Sequence, residues 1–362
     1  MTWPLKLSSS LLLTVLSAVY ASAAPLAELN SSFRHGNTPG FKISIPAPGV
    51  PARASLDEPS SARLAEFQFI TSKIEAVYSH LGSKQKNYNF SYEVLKTQYQ
   101  EAVREAVSDS DYKNALRLFF KAFHDPHLTV QFSIGQKSGP DQVPGAAVVN
   151  TMTDDMILIT RITRLSGDSA EIRAGLQKSL ELANSAKALI VDLRGNGGGN
   201  DGLAYEYISR LVAQDIPQGT YSVRISSESI EKFGELPEDP ARPGFSIWVD
   251  MSLPSRTSEA FKGPIGVLID GGCVSSCEGT AVTFKFSGVA TMYGSRTRGS
   301  SGNPVTIALP VTNGSFRVPR WIRKMPDGIP IEDHGILPDI EVGNPQNTLT
   351  IALQDIRTKI QR

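Results

Sequence analysis

The sequence lacks the features that mark several large classes of protein. Only two of its 362 residues are cysteines, which are too few to make a zinc site. Its formal net charge is +0, so there is no excess of basic residues to support nucleic-acid binding. It has no internal repeat, and beyond residue 24 no apolar run is long enough to span a membrane. With 40% hydrophobic and 20% charged residues, the composition indicates an ordinary globular protein with one large domain or two small ones.

The first 24 residues have the composition of a secretory signal. Lys6 precedes an apolar run from Leu11 to Tyr20, and Ala21-Ser22-Ala23 provides an A-x-A cleavage site. Residues 25–60 are rich in Pro, Ser and Ala and predict a flexible lead-in. We therefore expect an exported protein, periplasmic or secreted, with no integral membrane segment after signal cleavage.

The most informative stretch runs from Gly272 to Ala281. It follows the apolar run Ile265 to Asp270, which predicts a buried strand, and it leads into a predicted helix near Ser276 to Phe286. A serine at such a turn can project its hydroxyl into a cleft, where the backbone N–H groups of the helix N-terminus also point. The pattern fits a nucleophile beside half an oxyanion hole, and it also fits a serine that only caps the helix.

A second predicted strand, Ala188 to Leu193, ends in the glycine-rich run Gly195 to Gly199. Glycines let backbone amides approach a ligand closely. The loop has neither the GK[ST] ending of a P-loop nor the G-x-G-x-x-G spacing of a dinucleotide site, and we predict no cofactor. A loop of bare amides beside a serine turn suits a developing oxyanion better.

Together the two loops resemble those of the tail-specific (C-terminal-processing) serine peptidases, relatives of the tricorn core protease. The family pattern is a strand ending in DLRGNxGG and a later strand ending in a Ser-x-x-Glu turn, matched here by Asp192 to Gly199 and by Ser275 to Glu278. The resemblance covers most of the chain, from Leu64 to Val342. It implies a peptidase that acts on a peptide or protein substrate through an acyl-enzyme.

By position in this motif, Ser275 is the expected nucleophile. The amide of Ser276 and one from the Gly197–Gly198 segment are the expected oxyanion donors. Processing peptidases of the bacterial type use a lysine base, but Ser300 stands at the matching position here. The neighbouring arginines cannot replace it, because a guanidinium does not deprotonate in proteins.

A histidine base is the other solution, and the chain has five histidines. In the tricorn-like branch a histidine before the α/β domain pairs with the serine, and the Asp-x-His-x-Thr pattern at Asp125 to Thr129 makes His127 the expected base. That branch adds a glutamate before a Gly-x-x-Pro-Asp turn, which Glu332 matches, so the resemblance implies a Ser275–His127–Glu332 triad. His334 is the rival base, although its Gly/Pro-rich turn favours a surface position.

Two further pairs of side chains could form a crosslink or a metal site. Cys273 and Cys277 flank Ser275, and in an oxidising compartment a disulfide is expected. Their spacing allows the separation of about 4.4–6.8 Å between Cα atoms that a disulfide needs, while two buried thiols are the alternative. His124 and His127 could form a metal pair, but no third or fourth ligand has suitable spacing, and we predict no metal.

Periodicity predicts an α/β fold preceded by a small helical N-terminal domain. Helical spacing marks residues 61–126, strands and helices alternate through residues 127–345, and residues 346–362 predict a C-terminal helix. By resemblance the α/β part is a ClpP/crotonase-like spiral of ββα units. Only about sixty residues separate His127 from Asp192, so no separate PDZ domain is expected. The predicted strands are 128–132, 146–150, 156–162, 188–193, 221–225, 266–269, 290–293 and 305–309, and the predicted helices of the α/β part are 169–186, 202–213, 276–286 and 348–360.

Three functional interpretations fit this fold. The first is an active peptidase, and the second is a peptide-binding relative that lost its base together with the lysine. The acyl-CoA chemistry of crotonase-like proteins is the third, and the export signal argues against it. Fold alone does not choose among them, but the retained glycine loop and Ser275 favour the peptidase.

Overall fold

The computed structural model of the chain describes residues 58–132 and 145–361. The predicted signal peptide and nearly all of the predicted lead-in lie outside these residues. No helix within the described ranges combines the length and the apolar character that crossing a bilayer requires.

Four helices open the described chain and form most of one apolar core. They are α1 (Glu58–Val77), α2 (Leu81–Tyr88), α3 (Tyr92–Arg104) and α4 (Asp109–Lys121). The aromatic stripe of α4 is buried, as its helical spacing predicted, with Phe119 and Phe123 fully enclosed. The same cluster includes side chains of β1 (Thr129–Gln131), β9 (Val305–Ala308) and β10 (Ser315–Val318). Strands from the C-terminal half of the chain therefore complete the helical region.

The α/β part is built on a six-stranded sheet of order β12-β8-β7-β4-β3-β2. All neighbouring strands are parallel except β2 and β3. The strands are β2 (Val148–Met152), β3 (Ile157–Ile162), β4 (Ala188–Asp192), β7 (Ile265–Ile269), β8 (Ala290–Gly294) and β12 (Ile340–Glu341).

Helices cover both faces of this sheet. One face packs against α5 (Ser169–Ala183), α6 (Asp201–Ile208) and α8 (Ser276–Lys285), and the other packs against α9 (Thr348–Ile360). Every residue of β4 and β7 is buried as a result, which explains their continuous apolar sequences. The predicted α/β class with a helical N-terminal region is confirmed.

Two small antiparallel sheets complete the described structure, with the orders β1-β10-β9 and β11-β5-β6. The second contains β5 (Ile216–Val223), β6 (Val249–Leu253) and β11 (Trp321–Lys324), and α7 (Ser227–Phe233) follows β5. Sequence patterns missed α2, α7, β6, β10, β11 and β12. These strands have five residues or fewer, so their alternation is too brief to stand out.

The parallel pairing of β4 with β7 places the two predicted loops side by side. Their register runs from Leu189 opposite Ile265 to Asp192 opposite Leu268. The carboxyl ends of parallel neighbours meet at the same edge of a sheet, where ligands bind in open α/β folds. The glycine loop and the serine turn both begin at this edge.

Candidate active site

Ser275 lies at a strained turn between β7 and α8. Its backbone has φ 60° and ψ −120°, an uncommon conformation for a residue with a side chain. The Ser275 N–H donates to Ser300 O and to Glu278 Oε2, each at 3.1 Å. This is the conformation of a nucleophile elbow, in which a sharp turn presents the hydroxyl at the end of a strand.

The glycine loop packs directly against this elbow. A Cβ at Gly198 would lie 2.7 Å from Val274 O and 3.0 Å from both Ser275 Cβ and Ser276 N. The φ of Gly198 is +93°, which also favours glycine at this position. Any larger residue would push the loop away from the elbow.

One side chain and one backbone carbonyl hold the loop and the elbow in register. Asp270 Oδ1 accepts hydrogen bonds from the Gly195 and Gly272 N–H groups, both at 2.9 Å. Asn196 is fully buried, and its carbonyl accepts a hydrogen bond from the Val274 N–H at 3.1 Å. The two loops therefore form one hydrogen-bonded unit.

The disulfide predicted across the elbow is present. It joins Cys273 and Cys277, whose Cα atoms are 5.3 Å apart. Both residues are fully buried under the first turn of α8. The crosslink thus closes the turn that carries Ser275.

Of the three backbone amides predicted as oxyanion donors, two have no acceptor among the described residues. The N–H groups of Ser276 and Gly197 make no hydrogen bond in this part of the chain, whereas the Gly198 N–H donates to Asn196 Oδ1 at 2.8 Å. Ser276 is the first residue of α8, so its N–H is one of the groups that a helix leaves unpaired. The Ser276 hydroxyl donates to Gly199 O at 2.8 Å and fastens the elbow to the glycine loop.

Glu278 is a fully buried carboxylate that connects the elbow to the loop at residues 297–300. It accepts four hydrogen bonds, from the Thr297 hydroxyl and the Gly299 N–H at 2.7 Å, the Ser300 N–H at 2.8 Å and the Ser275 N–H at 3.1 Å. Burial raises the pKa of Glu278 to about 7, while these hydrogen bonds favour the ionised form and act in the opposite direction.

His127 contacts Ser300, the residue that stands at the lysine position. His127 Nδ1 and Ser300 Oγ lie 2.7 Å apart and share a hydrogen bond. Burial lowers the pKa of His127 to about 4, although the neighbouring Asp125 carboxylate acts in the opposite direction. The imidazole is therefore neutral near pH 7. Because Ser300 O also accepts the Ser275 N–H, both predicted catalytic residues contact Ser300.

Glu332 lies in a buried charged cluster instead of against the His127 ring. Its Oε1 pairs with Lys84 Nζ at 2.6 Å, and its Oε2 accepts the Ser301 N–H at 2.7 Å. His80 Nδ1 is 3.7 Å from Glu332 Oε2. Among the described residues, no hydrogen bond or ion pair joins Glu332 to His127.

Asp125 connects this cluster to the backbone of the histidine loop. Its Oδ1 accepts the His127 N–H at 2.8 Å, and its Oδ2 accepts the Tyr78 hydroxyl at 2.8 Å. His80 Nδ1 lies 3.3 Å from Asp125 Oδ2. Burial raises the pKa of Asp125, but the hydrogen bond and charge of His80 outweigh it and lower the pKa to about 2.

His80, Asp125 and Glu332 are also the metal-type ligands that lie closest together in the described part of the chain, with ligand atoms within 4.8 Å of one another. The Lys84 ammonium already supplies a positive charge to this cluster. These three residues are therefore part of an ion-pair network in which Lys84 balances the charge of Glu332.

The two other histidines of the described residues, His124 and His334, lie at the surface, and His35 lies outside the described residues. His334 is exposed, and its ring nitrogen lies 2.9 Å from Glu332 O. His124 is exposed and stacks on Tyr88 with 4.4 Å between ring centroids, while the His127 side chain contacts Ser300. The structure thus does not bring His124 and His127 together as a metal pair.

The family model of peptidase family S41 matches residues 156–342, which is just over half of the chain. The match includes both loops and the Glu332 turn. The chain therefore belongs to peptidase family S41, which has the tail-specific peptidases among its members. No curated protein matches the sequence.

Solved structures with the same fold include established proteases. Mature CPAF complexed with lactacystin is 12% identical at a TM-score of 0.62, with 83% of this chain and 98% of that chain covered. A lipoprotein from Streptococcus agalactiae is 17% identical at a TM-score of 0.58, with 85% and 100% covered. The tricorn protease is 13% identical at a TM-score of 0.53, with 83% of this chain and 37% of that chain covered. Identities this low establish a shared fold and nothing finer.

Several residues of the site were not assigned a role from the sequence. Ser300 was noted only as a missing lysine, and Glu278 only as the last residue of the Ser-x-x-Glu motif. Asp270 and Asn196 also passed without a role. The position of Glu278 could have been predicted from the motif. An acid three residues after the serine lies on the first turn of the following helix, close to the serine.

Proposed function

We propose that the protein is an exported serine peptidase that hydrolyses peptide bonds through an acyl-enzyme on Ser275. The observation that carries the proposal is the elbow itself. A serine with φ 60° stands between a buried strand and a helix N-terminus, with a glycine loop packed against it. A serine that only caps a helix has an extended backbone and needs no such strain.

His127 is the general base in this proposal. If its Nδ1–H donates to Ser300 Oγ, its Nε2 lone pair is free to take the Ser275 proton. Ser300 then holds the imidazole in the required tautomer, the role that a carboxylate has in many triads. The low pKa of His127 keeps the ring neutral and ready to accept a proton at pH 7.

Glu332 acts indirectly as a positioning residue. Its Oε2 accepts a hydrogen bond from the Ser301 N–H at 2.7 Å and so fixes the position of the segment that carries Ser300. Its charge is balanced by Lys84 within the buried cluster. This assignment replaces the direct His127–Glu332 contact expected for the triad.

The reaction follows from these roles. Ser275 Oγ attacks the substrate carbonyl as its proton passes to His127, and the N–H groups of Ser276 and Gly197 stabilise the oxyanion. His127 then protonates the leaving amine as the C–N bond breaks, which leaves an ester on Ser275. Water, deprotonated by His127, hydrolyses that ester and returns the serine.

The decisive test is Ser275→Ala. Peptide hydrolysis should fall on the order of 10⁴-fold or more, and labelling by a fluorophosphonate should disappear. Ser185→Ala is the matched control, since Ser185 is an exposed serine at the end of α5 that should leave both readouts unchanged. Undiminished turnover of Ser275→Ala would refute the mechanism.

A peptide-binding relative without activity is the alternative. It predicts no fluorophosphonate adduct on the wild-type protein, together with peptide binding that Ser275→Ala does not change. Among the described residues, the N–H groups of Ser276 and Gly197 have no acceptor. This favours the peptidase, because free N–H groups at a helix N-terminus beside the serine can bind an oxyanion.

Export rests on the predicted signal and on the disulfide. A crosslink between Cys273 and Cys277 persists in oxidising compartments and is rare in the cytosol. The exported fraction should contain a mature chain that begins near Ala24, as determined by N-terminal sequencing. A full-length chain retained in the cytosol would contradict export without affecting the peptidase proposal.

A further inference from the structure

The cleft beside Ser275 carries an excess of positive charge. It has a volume of about 350 Å³ and is bounded by Ser275 and Ser276 on one side. Its charged lining residues are Lys232, Arg317, Arg323 and Asp201, so three cations face one carboxylate. An apolar side chain bound in this cleft would partly desolvate the charged groups without offering them a partner. These charges would therefore weaken the binding of an apolar side chain.

Arg317 has no partner in the described part of the chain. It lies on β10 between Phe316 and Val318, whose side chains enter the helical core, so the alternation of the strand turns Arg317 to the opposite face. It is half-buried, and desolvation lowers its pKa. No hydrogen bond or ion pair of its guanidinium occurs among residues 58–132 and 145–361.

Arg323 is more deeply buried, at 3% exposure, and it also lacks an ion-pair partner among the described residues. Its Nη1 donates to the Tyr205 hydroxyl at 3.2 Å and its Nη2 to Gln218 O at 3.4 Å. Its Nε is buried and has no acceptor within residues 58–132 and 145–361. A buried guanidinium with only neutral partners is costly unless an anion arrives to compensate it.

The acid in the lining does not neutralise these arginines directly. Asp201 Oδ2 accepts the Tyr205 hydroxyl at 3.1 Å, so the tyrosine stands between it and Arg323. A Cβ at Gly279 of α8 would lie 2.7 Å from the Tyr205 hydroxyl, 3.0 Å from Arg323 Nη1 and 3.2 Å from Asp201 Oδ2. The glycine therefore leaves room for all three groups at this side of the cleft.

We propose that this cleft is a carboxylate-binding subsite, which selects substrates with an acidic group next to the cleaved bond. Arg317 contacts the carboxylate, Lys232 at the end of α7 assists, and Arg323 supplies positive charge behind them. The carboxylate belongs to an Asp or Glu side chain of the substrate. The inference rests on the proposed peptidase function, because it names the substrate class of the same site.

The kinetic test uses pairs of isosteric peptides. One series places Glu or Gln at each position from three residues before to three after the cleaved bond, and a second pairs a free C-terminal carboxylate with its amide. At one position the acidic peptide should have a kcat/KM about 10- to 100-fold higher, the range expected of a hydrogen bond to a charged group. A preference in the first series supports the acidic side chain, whereas a preference confined to the second series would assign the recognised group to the free C-terminus and overturn the proposal.

Variants assign the preference to the cleft. Arg317→Gln should remove most of this preference by raising KM for the acidic peptide more than KM for the neutral peptide. Arg317→Glu should reverse it in favour of a lysine-bearing peptide. Arg298→Gln is the matched control, an exposed arginine of the 297–300 loop that lines a different groove, and it should keep the full preference.

Measuring peptide binding to the Ser275→Ala variant tests this inference independently of the peptidase proposal. Fluorescence anisotropy of labelled peptides should show the same acidic preference, weakened by salt and lost in Ser275→Ala/Arg317→Gln. Selective binding without turnover by the wild type would support the subsite and refute the peptidase. Turnover that depends on Ser275 but does not distinguish acidic from neutral peptides, or a preference that survives Arg317→Gln together with Lys232→Gln, would overturn the subsite alone.

Discussion

At the scale of single residues, two buried titratable groups are linked to Ser275, Glu278 by a direct hydrogen bond and His127 through Ser300, and their pKa values are displaced in opposite directions. Burial lowers the pKa of His127 to about 4 and raises the pKa of Glu278 to about 7. In each case burial disfavours the charged form. The His127 imidazole therefore remains uncharged throughout the neutral range, while Glu278 changes its charge within that range.

The proposed mechanism predicts an acid limb in the pH–rate profile that comes from Glu278. Above pH 7 the ionised carboxylate accepts all four of its hydrogen bonds, including that of the Ser275 N–H. Below pH 7 the Glu278 carboxylate gains a proton. Its O–H group then faces N–H and hydroxyl donors, one of which loses its acceptor. We expect kcat/KM to fall as the pH drops through about 7.

Glu278→Gln tests the origin of that limb. Its amide NH₂ cannot accept hydrogen bonds, so above pH 7 the rate should be lower than that of the wild type, and below pH 7 the two rates should converge. The acid limb should move toward pH 4, where His127 itself becomes protonated. A variant that retains a limb near pH 7 would assign the titration to another group.

At the scale of structural elements, the β7–α8 connection is held by redundant links. Asp270 connects the elbow to the glycine loop, Glu278 connects it to the 297–300 loop, and the disulfide closes the turn itself. Such redundancy is needed because Ser275 occupies a backbone conformation that surrounding structure must enforce.

Removing the disulfide should therefore affect activity more than stability. A crosslink that closes so short a loop contributes about 2 kcal/mol or less by the loop-entropy argument. In Cys273→Ala/Cys277→Ala the free energy of unfolding in urea should fall by no more than this, while kcat falls at least about tenfold as the elbow loosens.

The natural control is the wild-type protein after reduction, which should behave as the double variant does. Alkylation followed by mass spectrometry should detect no free thiol in unreduced exported protein. Two alkylated cysteines in that sample, or an unchanged kcat in the double variant, would show that the bridge does not set the elbow.

At the scale of the whole molecule, a buried charged cluster fastens the helical region to the rest of the described structure. Lys84 lies on α2 with its side chain 1% exposed, and it pairs with both Glu332 and Asp333 at 2.6 and 2.5 Å. Burial opposes the charge on Lys84, but the two carboxylates outweigh that effect and raise its pKa. The cluster thus fixes the turn of Glu332 against the region that carries His127.

Lys84→Met should be strongly destabilising, because it leaves Glu332 buried without its cation beside Asp125. Breaking one side of a buried ion pair costs about 3–5 kcal/mol, measured as the change in the free energy of urea unfolding. Burial raises the pKa of Glu332, so this cost should shrink at acidic pH as the carboxylate becomes protonated. Lys86→Met on the exposed face of α2 is the control and should change stability by less than about 0.5 kcal/mol. Equal losses in the two variants would show that the cluster does not hold the regions together.

The sequence alone was sufficient for features that depend on neighbouring residues. The elbow and the glycine loop each follow an apolar run of five residues that is buried as predicted, and the disulfide joins cysteines four residues apart. The amphipathic helices α3 and α4 were likewise visible from their spacing. Each of these features is encoded within one short window, where strand burial, helix period and turn chemistry act directly.

The partners of the predicted catalytic residues were decided only by the tertiary structure. His127 meets Ser300 across 173 residues of sequence, and Lys84 meets Asp333 across 249. Arg317 enters the cleft because β10 pairs with β1 and turns its apolar neighbours toward the helical core. A local pattern specifies that a residue is buried or exposed, but strand pairing and helix packing determine which distant side chain it contacts. For that reason the sequence predicted which serine is the nucleophile, while the packing of distant segments decided what surrounds Ser275.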